Sequence, residues 1–271
     1  ISGGSLLIDY MLTVAVSVSA GAEAITSAVP ALYGHQVAIS VTIVLLLMML
    51  NLRGLRESAS FLLFPVYTFI LVISLLIVVG LYNIVTGAVP LQATALPGAA
   101  VPGVSIALIL RAFSSGSSSL TGVEAISNAV PFFKKPRAKN AAATLTMMAL
   151  ILGFFFVGIT FINYWYGIVP EKEVTVLSQI GKAVFGHGIL YYVLQFATAL
   201  ILAVAANTGF SAFPVLAYNL AKDKFMPHMY QDRGDRLGYS NGIITLALGS
   251  IVLLFIFHGS TERLIPLYSI G

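Results

Sequence analysis

Arg111-Ala-Phe-Ser-Ser-Gly-Ser-Ser-Ser-Leu-Thr-Gly-Val-Glu124 is the stretch on which the reading of this chain turns. It lies inside an otherwise apolar run, about 104–130, that is long enough to cross a bilayer. Five serines and two glycines interrupt it. Serine competes with the backbone for hydrogen bonds, and glycine costs roughly 1 kcal/mol in a helix interior. Backbone at membrane depth departs from a helix only where it is buried in protein or lines a cavity. The pattern therefore predicts an unwound segment at Ser114, Ser115, Gly116 and Ser117. Close helix packing through small residues is the competing reading. Thr121 and Glu124, directly after the weak segment, favour the break.

Composition sets the class. Of 271 residues, 58% are hydrophobic and only 9% charged, with a mean hydropathy of +0.96. A soluble domain carries about 25% charged residues to keep its surface wetted. This chain cannot, so an all-α integral membrane protein is expected. No cysteine is present, which excludes disulfides and thiolate metal sites. His35, His187, His228 and His258 are scattered without metal-ligand spacing, so no transition metal is expected. Neither nucleophile, base nor phosphate loop can be assembled into an enzyme site, and no cofactor is expected.

Apolar length and punctuation give seven spans and the start of an eighth. They run at about 6–29, 37–52, 60–84, 104–130, 142–166, 188–220 and 242–257, with the last beginning near Leu264. The chain opens at Ile1 and stops at Gly271 inside an apolar segment, and is read as one transmembrane domain, 1–271, from a longer protein. Ten of fourteen basic residues fall in the loops after the second, fourth and sixth spans. Lysine and arginine favour the cytoplasm, so the N-terminus is placed there too. The net charge of +4 is thus topological and calls for no nucleic acid. Between 169 and 186, charged residues mix with apolar ones at helical spacing, and short helices over the outer mouth are expected.

The acids within the spans carry the functional reading. A charge at the centre of a membrane helix costs roughly 2.5–3.5 kcal/mol, so it faces a cavity, a partner or an ion. Asp9 and Thr13 are spaced i, i+4, and Thr121 and Glu124 i, i+3, so each pair shares a helical face. Carboxylates, hydroxyls and carbonyls suit a hard monovalent cation. A proton-coupled carrier also needs a carboxylate that loads and releases a proton near neutral pH, and Glu124 and Asp9 are the candidates. Glu23 lies in Gly21-Ala-Glu-Ala-Ile-Thr-Ser-Ala-Val-Pro30, identical at seven of ten positions to Gly122-Val-Glu-Ala-Ile-Ser-Asn-Ala-Val-Pro131. It sits near a predicted span end, and a structural role is expected. Arg111 is read as pairing with an acid or snorkelling.

Four blocks carry a family likeness: Gly3-Gly-Ser-Leu-Leu-Ile-Asp-Tyr-Met-Leu-Thr13, Leu120-Thr-Gly-Val-Glu-Ala-Ile-Ser-Asn-Ala-Val-Pro131, Lys135-Pro-Arg-Ala-Lys-Asn140 and Leu220-Ala-Lys-Asp-Lys-Phe-Met-Pro227. With them the chain resembles the amino acid–polyamine–organocation (APC) superfamily. More narrowly it resembles the KimA-type bacterial potassium importers, often labelled amino acid permeases. The resemblance implies a LeuT-like inverted-repeat fold in a bacterial plasma membrane, with this fragment covering the third span to the start of the tenth. In that frame the Glu23 and Glu124 segments are not symmetry partners. It implies potassium uptake with protons at a site matching Asp9, Thr13, Thr121, Glu124 and Tyr268. It also implies a homodimer, and inhibition by cyclic di-AMP through a cytoplasmic domain outside this sequence.

Two functions follow. In one, potassium binds near the bilayer midplane between the first and fourth spans and is imported with protons by alternating access. In the other, an amino-acid permease seats its substrate carboxylate on helix N-termini at the broken helix. Two membrane acids, each with a threonine one turn away, favour the cation. A seven-span receptor is the weaker alternative, since a serine- and glycine-broken helix bearing acids fits a carrier better.

Overall fold

The computed structural model describes residues 2–54, 59–91, 105–117, 130, 133–171, 174–231 and 239–268, excepting the side chains of 2, 59–62, 111, 114, 115, 117 and 268. Nine α-helices and two 3-10 turns make up the regular structure of these residues. The helices are α1 (Ser2–Ala28), α2 (Gln36–Leu52), α3 (Ala59–Val85), α4 (Ile106–Ser117), α5 (Arg137–Trp165), α6 (Val176–Phe185), α7 (Ile189–Lys222), α8 (Ser240–Ile256) and α9 (Thr261–Tyr268).

Helix ends follow local chemistry. α1 stops short of Pro30, which lacks an N–H and opens the 3-10 turn Pro30–Leu32. α6 starts at Thr175, whose side chain accepts the Ser178 N–H, and ends at Gly186 with φ 66°. It is the short helix expected between 169 and 186. Four helical stretches are long and apolar enough to cross a membrane: Gly3–Ala28, Leu63–Val85, Arg137–Trp165 and Ile189–Lys222. A fifth results if α8 and α9, bent by 117°, form one broken span. The chain is a multi-pass membrane protein. α2 coincides with the second expected span and α8 with the seventh, but each has 17 residues. That is at the lower limit of about 17–25 for a crossing. The fourth span is described only over α4.

The chain divides into two compact units. One holds residues 1–72 and 170–271, the other 73–169. In the first, Val14, Val18, Leu47, Phe210, Phe213, Leu246 and Leu264 join α1, α2, α7, α8 and α9 in a single core. Small residues bring the backbones together where the core is tightest. A Cβ on Gly209 of α7 would come within 2.6 Å of Val14 Cγ2 on α1. One on Gly242 of α8 would come within 2.8 Å of Pro214 Cα. Lipid tails are as apolar as leucine, so such close van der Waals contact, rather than exclusion of water, holds membrane helices together.

In the second unit, Gly80 and Gly158 play the same part. Gly80 admits Ile162 and Gly158 admits Ile77, each within 2.7 Å of a would-be Cβ. Polar contacts gather at one end of α5, where Trp165 Nε1 donates to the Val89 carbonyl at 3.2 Å and Asn83 Nδ2 donates to the Tyr166 hydroxyl at 3.4 Å.

Candidate functional site

α1 carries both acids of the first span, and they occupy different settings. Asp9 and Thr13 are each half-buried and lie on one face of the helix, one turn apart. Behind this level the packing is close: Gly209 of α7 abuts Val14 and the Tyr10 carbonyl, and Ser250 of α8 donates to the Met11 carbonyl at 3.2 Å. The carboxylate and hydroxyl are thus presented from a helix that α7 and α8 brace at the same depth.

About 21 Å further along α1 lies Glu23, next to the bend between α8 and α9. Here His258 (φ 55°) and Gly259 (φ 63°) turn the chain through left-handed conformations. α1 holds this turn with two side chains. Ser19 donates to the Gly259 carbonyl and accepts from Thr261 Oγ1 at 3.2 Å. Glu23 Oε1 accepts the Thr261 backbone N–H at 2.9 Å. A carboxylate at a helix N-terminus satisfies an otherwise unpaired N–H and faces the positive end of the peptide dipoles. The expected structural role of Glu23 therefore has a partner and a purpose: it caps α9. A side chain at Gly259 would meet Val37 at 3.3 Å as well as the unfavourable φ.

The remaining polar residues at this end of α1 are also engaged. The Tyr191 hydroxyl donates to the Ser27 carbonyl at 2.8 Å and shares a 2.7 Å hydrogen bond with Ser178 Oγ. The Thr175 N–H donates to Ser27 Oγ at 3.1 Å, fastening the start of α6 to α1. Midway along α7, Asn207 Oδ1 accepts from Asn51 Nδ2 of α2 at 2.7 Å.

The candidate site residues are placed as follows. Asp9 and Thr13 come together on α1. Tyr268 is the last residue of α9, the helix that Glu23 caps, and its side chain lies outside the described residues. Thr121 and Glu124 also lie outside them. Ser114, Ser115, Gly116 and Ser117 fall within α4, so the backbone is helical over these four residues rather than unwound. Serine tolerates a helix by bonding its hydroxyl back to a preceding carbonyl. The Ser19–Glu23–Thr261 clamp and the bend it holds escaped the sequence reading. No local pattern marks it, because the partners of Gly259 and Thr261 lie about 240 positions away.

A family model described as amino acid permease matches residues 1–271. The potassium transporter KimA of Bacillus subtilis (strain 168) is 58% identical over 273 residues, an alignment covering 100% of this chain and 45% of that protein. The chain thus spans less than half the length of that relative.

Proposed function

The chain belongs to the amino acid permease family, and from that premise we propose that it forms part of the transmembrane domain of a proton-coupled potassium importer working by alternating access. Asp9 and Thr13 on α1, Thr121 and Glu124 after α4, and Tyr268 on α9 supply the oxygens for a dehydrated potassium ion. Asp9 or Glu124 takes up the coupled proton. The protein resides in a bacterial plasma membrane with the N-terminus of this chain cytoplasmic, adopts the LeuT-like fold, and works as a homodimer.

One observation carries the reading. A single helix presents an acid and a hydroxyl on one half-buried face and, further along, clamps the helix that ends in Tyr268. The relative, named as a potassium transporter, agrees with it. The family description favours the second reading, an amino-acid permease. Rubidium flux into liposomes containing the full-length protein, with and without an inward proton gradient, separates the two. Gradient-driven rubidium uptake that Glu124→Gln abolishes is expected. Uptake of a labelled amino acid with no rubidium flux would hand the case to the permease.

A further inference from the structure

Lys134-Lys-Pro-Arg-Ala-Lys139 puts four cations into six residues where α5 begins. All four are exposed. No aspartate or glutamate occurs from residue 125 to residue 170, and none of the four forms an ion pair among the described residues. The loop after α7 differs, because Asp223 stands between Lys222 and Lys224. The cluster is also held in place. Asn140 Nδ2 donates to the Lys134 carbonyl at 2.8 Å, which folds the approach to α5 back beside its first turn.

The helix gains nothing from these charges. Its first turn has no acid, and its N-cap, Pro136, supplies no side-chain acceptor. Peptide dipoles favour anions at a helix start, so Arg137 and Lys139 oppose them. Membrane orientation accounts for basic residues at this end. It does not account for setting them against a dipole without a counter-charge, and an anion from outside the chain would meet that need.

Depth identifies the anion. The 29 residues from Arg137 to Trp165 extend about 42 Å, and a bilayer with its headgroups is about 40–45 Å thick. Tryptophan and tyrosine collect at the membrane–water boundary. Trp165 and the exposed Tyr164 mark that boundary at one end of α5. Arg137 then falls in the headgroup layer of the opposite leaflet, where lipid phosphates lie.

We propose that Lys134, Lys135, Arg137 and Lys139 form a binding patch for anionic phospholipid headgroups. Each Lys or Arg beside a membrane helix strengthens attraction to an anionic surface roughly fivefold. The lysines supply point charges, and the planar fork of Arg137 can grip two phosphate oxygens. The proposal needs α5 to cross a bilayer and is independent of what is transported.

The test uses the full-length protein in nanodiscs of phosphatidylcholine with increasing phosphatidylglycerol. Brief amine acetylation, mapped by mass spectrometry, reports the accessibility of each lysine. Phosphatidylglycerol should protect Lys134, Lys135 and Lys139, and protect Lys222 and Lys224 far less. Arginine is not acetylated, so Arg137→Gln is read on the three lysines. It should raise the phosphatidylglycerol fraction that gives half protection about fivefold, with the thermal midpoint in phosphatidylcholine unchanged. Reactivity indifferent to phosphatidylglycerol would overturn the proposal: if fast, the cluster is a solvated loop, and if slow, other protein covers it. Equal protection of Lys222 and Lys224 would also overturn it, as would a half-point that Arg137→Gln leaves in place.

Discussion

Asp9 and Glu23 stand on one helix, about 21 Å apart, and both are acids inside an apolar span. Glu23 is absorbed by structure: its carboxylate takes the Thr261 N–H at 2.9 Å and caps α9, while Ser19 holds the Gly259 carbonyl beside it. Asp9 shares a half-buried face with Thr13, at a level where α7 and α8 press against the back of α1. An ionisable residue in a membrane helix is a functional candidate by default. The pair teaches that this default must be checked against helix termini nearby, because an acid that caps a helix and one proposed to bind an ion look alike in sequence.

The largest expected effect separates these roles. Asp9→Asn keeps the shape of the side chain and removes its charge. Losing one partner of a desolvated ion pair costs about 3 kcal/mol or more, so rubidium uptake should fall roughly a hundredfold. Normal uptake by this variant would erase the difference between the two ends of α1.

Glu23→Ala is expected to act on stability instead. Leaving the partly buried Thr261 N–H without an acceptor costs about 1 kcal/mol, read as a lower midpoint in thermal denaturation in detergent, with the KM for rubidium preserved. Glu23→Gln retains an acceptor oxygen and should lose less. If Glu23→Ala kept its stability and lost uptake, Glu23 would join Asp9 in transport.

Gly209→Ala sharpens the comparison from the other side. Its Cβ would press on Val14 and the Tyr10 carbonyl, beside Asp9 and Thr13. Overpacking of this kind costs about 1–3 kcal/mol, and it should also raise the KM for rubidium. Gly153→Ala, where a Cβ meets nothing within 4 Å, is the control. Smaller still is Tyr191→Phe, which removes the hydroxyl between Ser27 and Ser178 and should cost about 1 kcal/mol with transport intact.

Much of the helical framework was legible because lipid imposes it. The ends of α1, α2, α3, α5, α7 and α8 fall within a few residues of the expected spans, since apolar length, Pro30 and the polar loops mark them. α6 was legible from its amphipathic spacing. The Asp9–Thr13 face followed from the period of the helix alone. Other features depend on tertiary contacts that no local pattern announces. The bend at His258 and Gly259 is held by Ser19 and Glu23 from the far end of the chain. Asn51 and Asn207 meet across 156 positions. Helix over Ser114–Ser117 shows that serine-rich sequence weakens a helix without dictating where it stops.

One measurement bears on the division of labour along α1 most directly: thermal denaturation of the full-length protein, its Asp9→Asn variant and its Glu23→Gln variant as potassium is titrated. A ligand that binds only the folded state raises stability by RT ln(1 + [L]/Kd). The unsubstituted protein and Glu23→Gln should gain stability with potassium along parallel curves, Glu23→Gln from a lower start, while Asp9→Asn stays flat. A potassium-dependent rise in Asp9→Asn matching the unsubstituted protein, or a flat response in Glu23→Gln, would contradict the assignment.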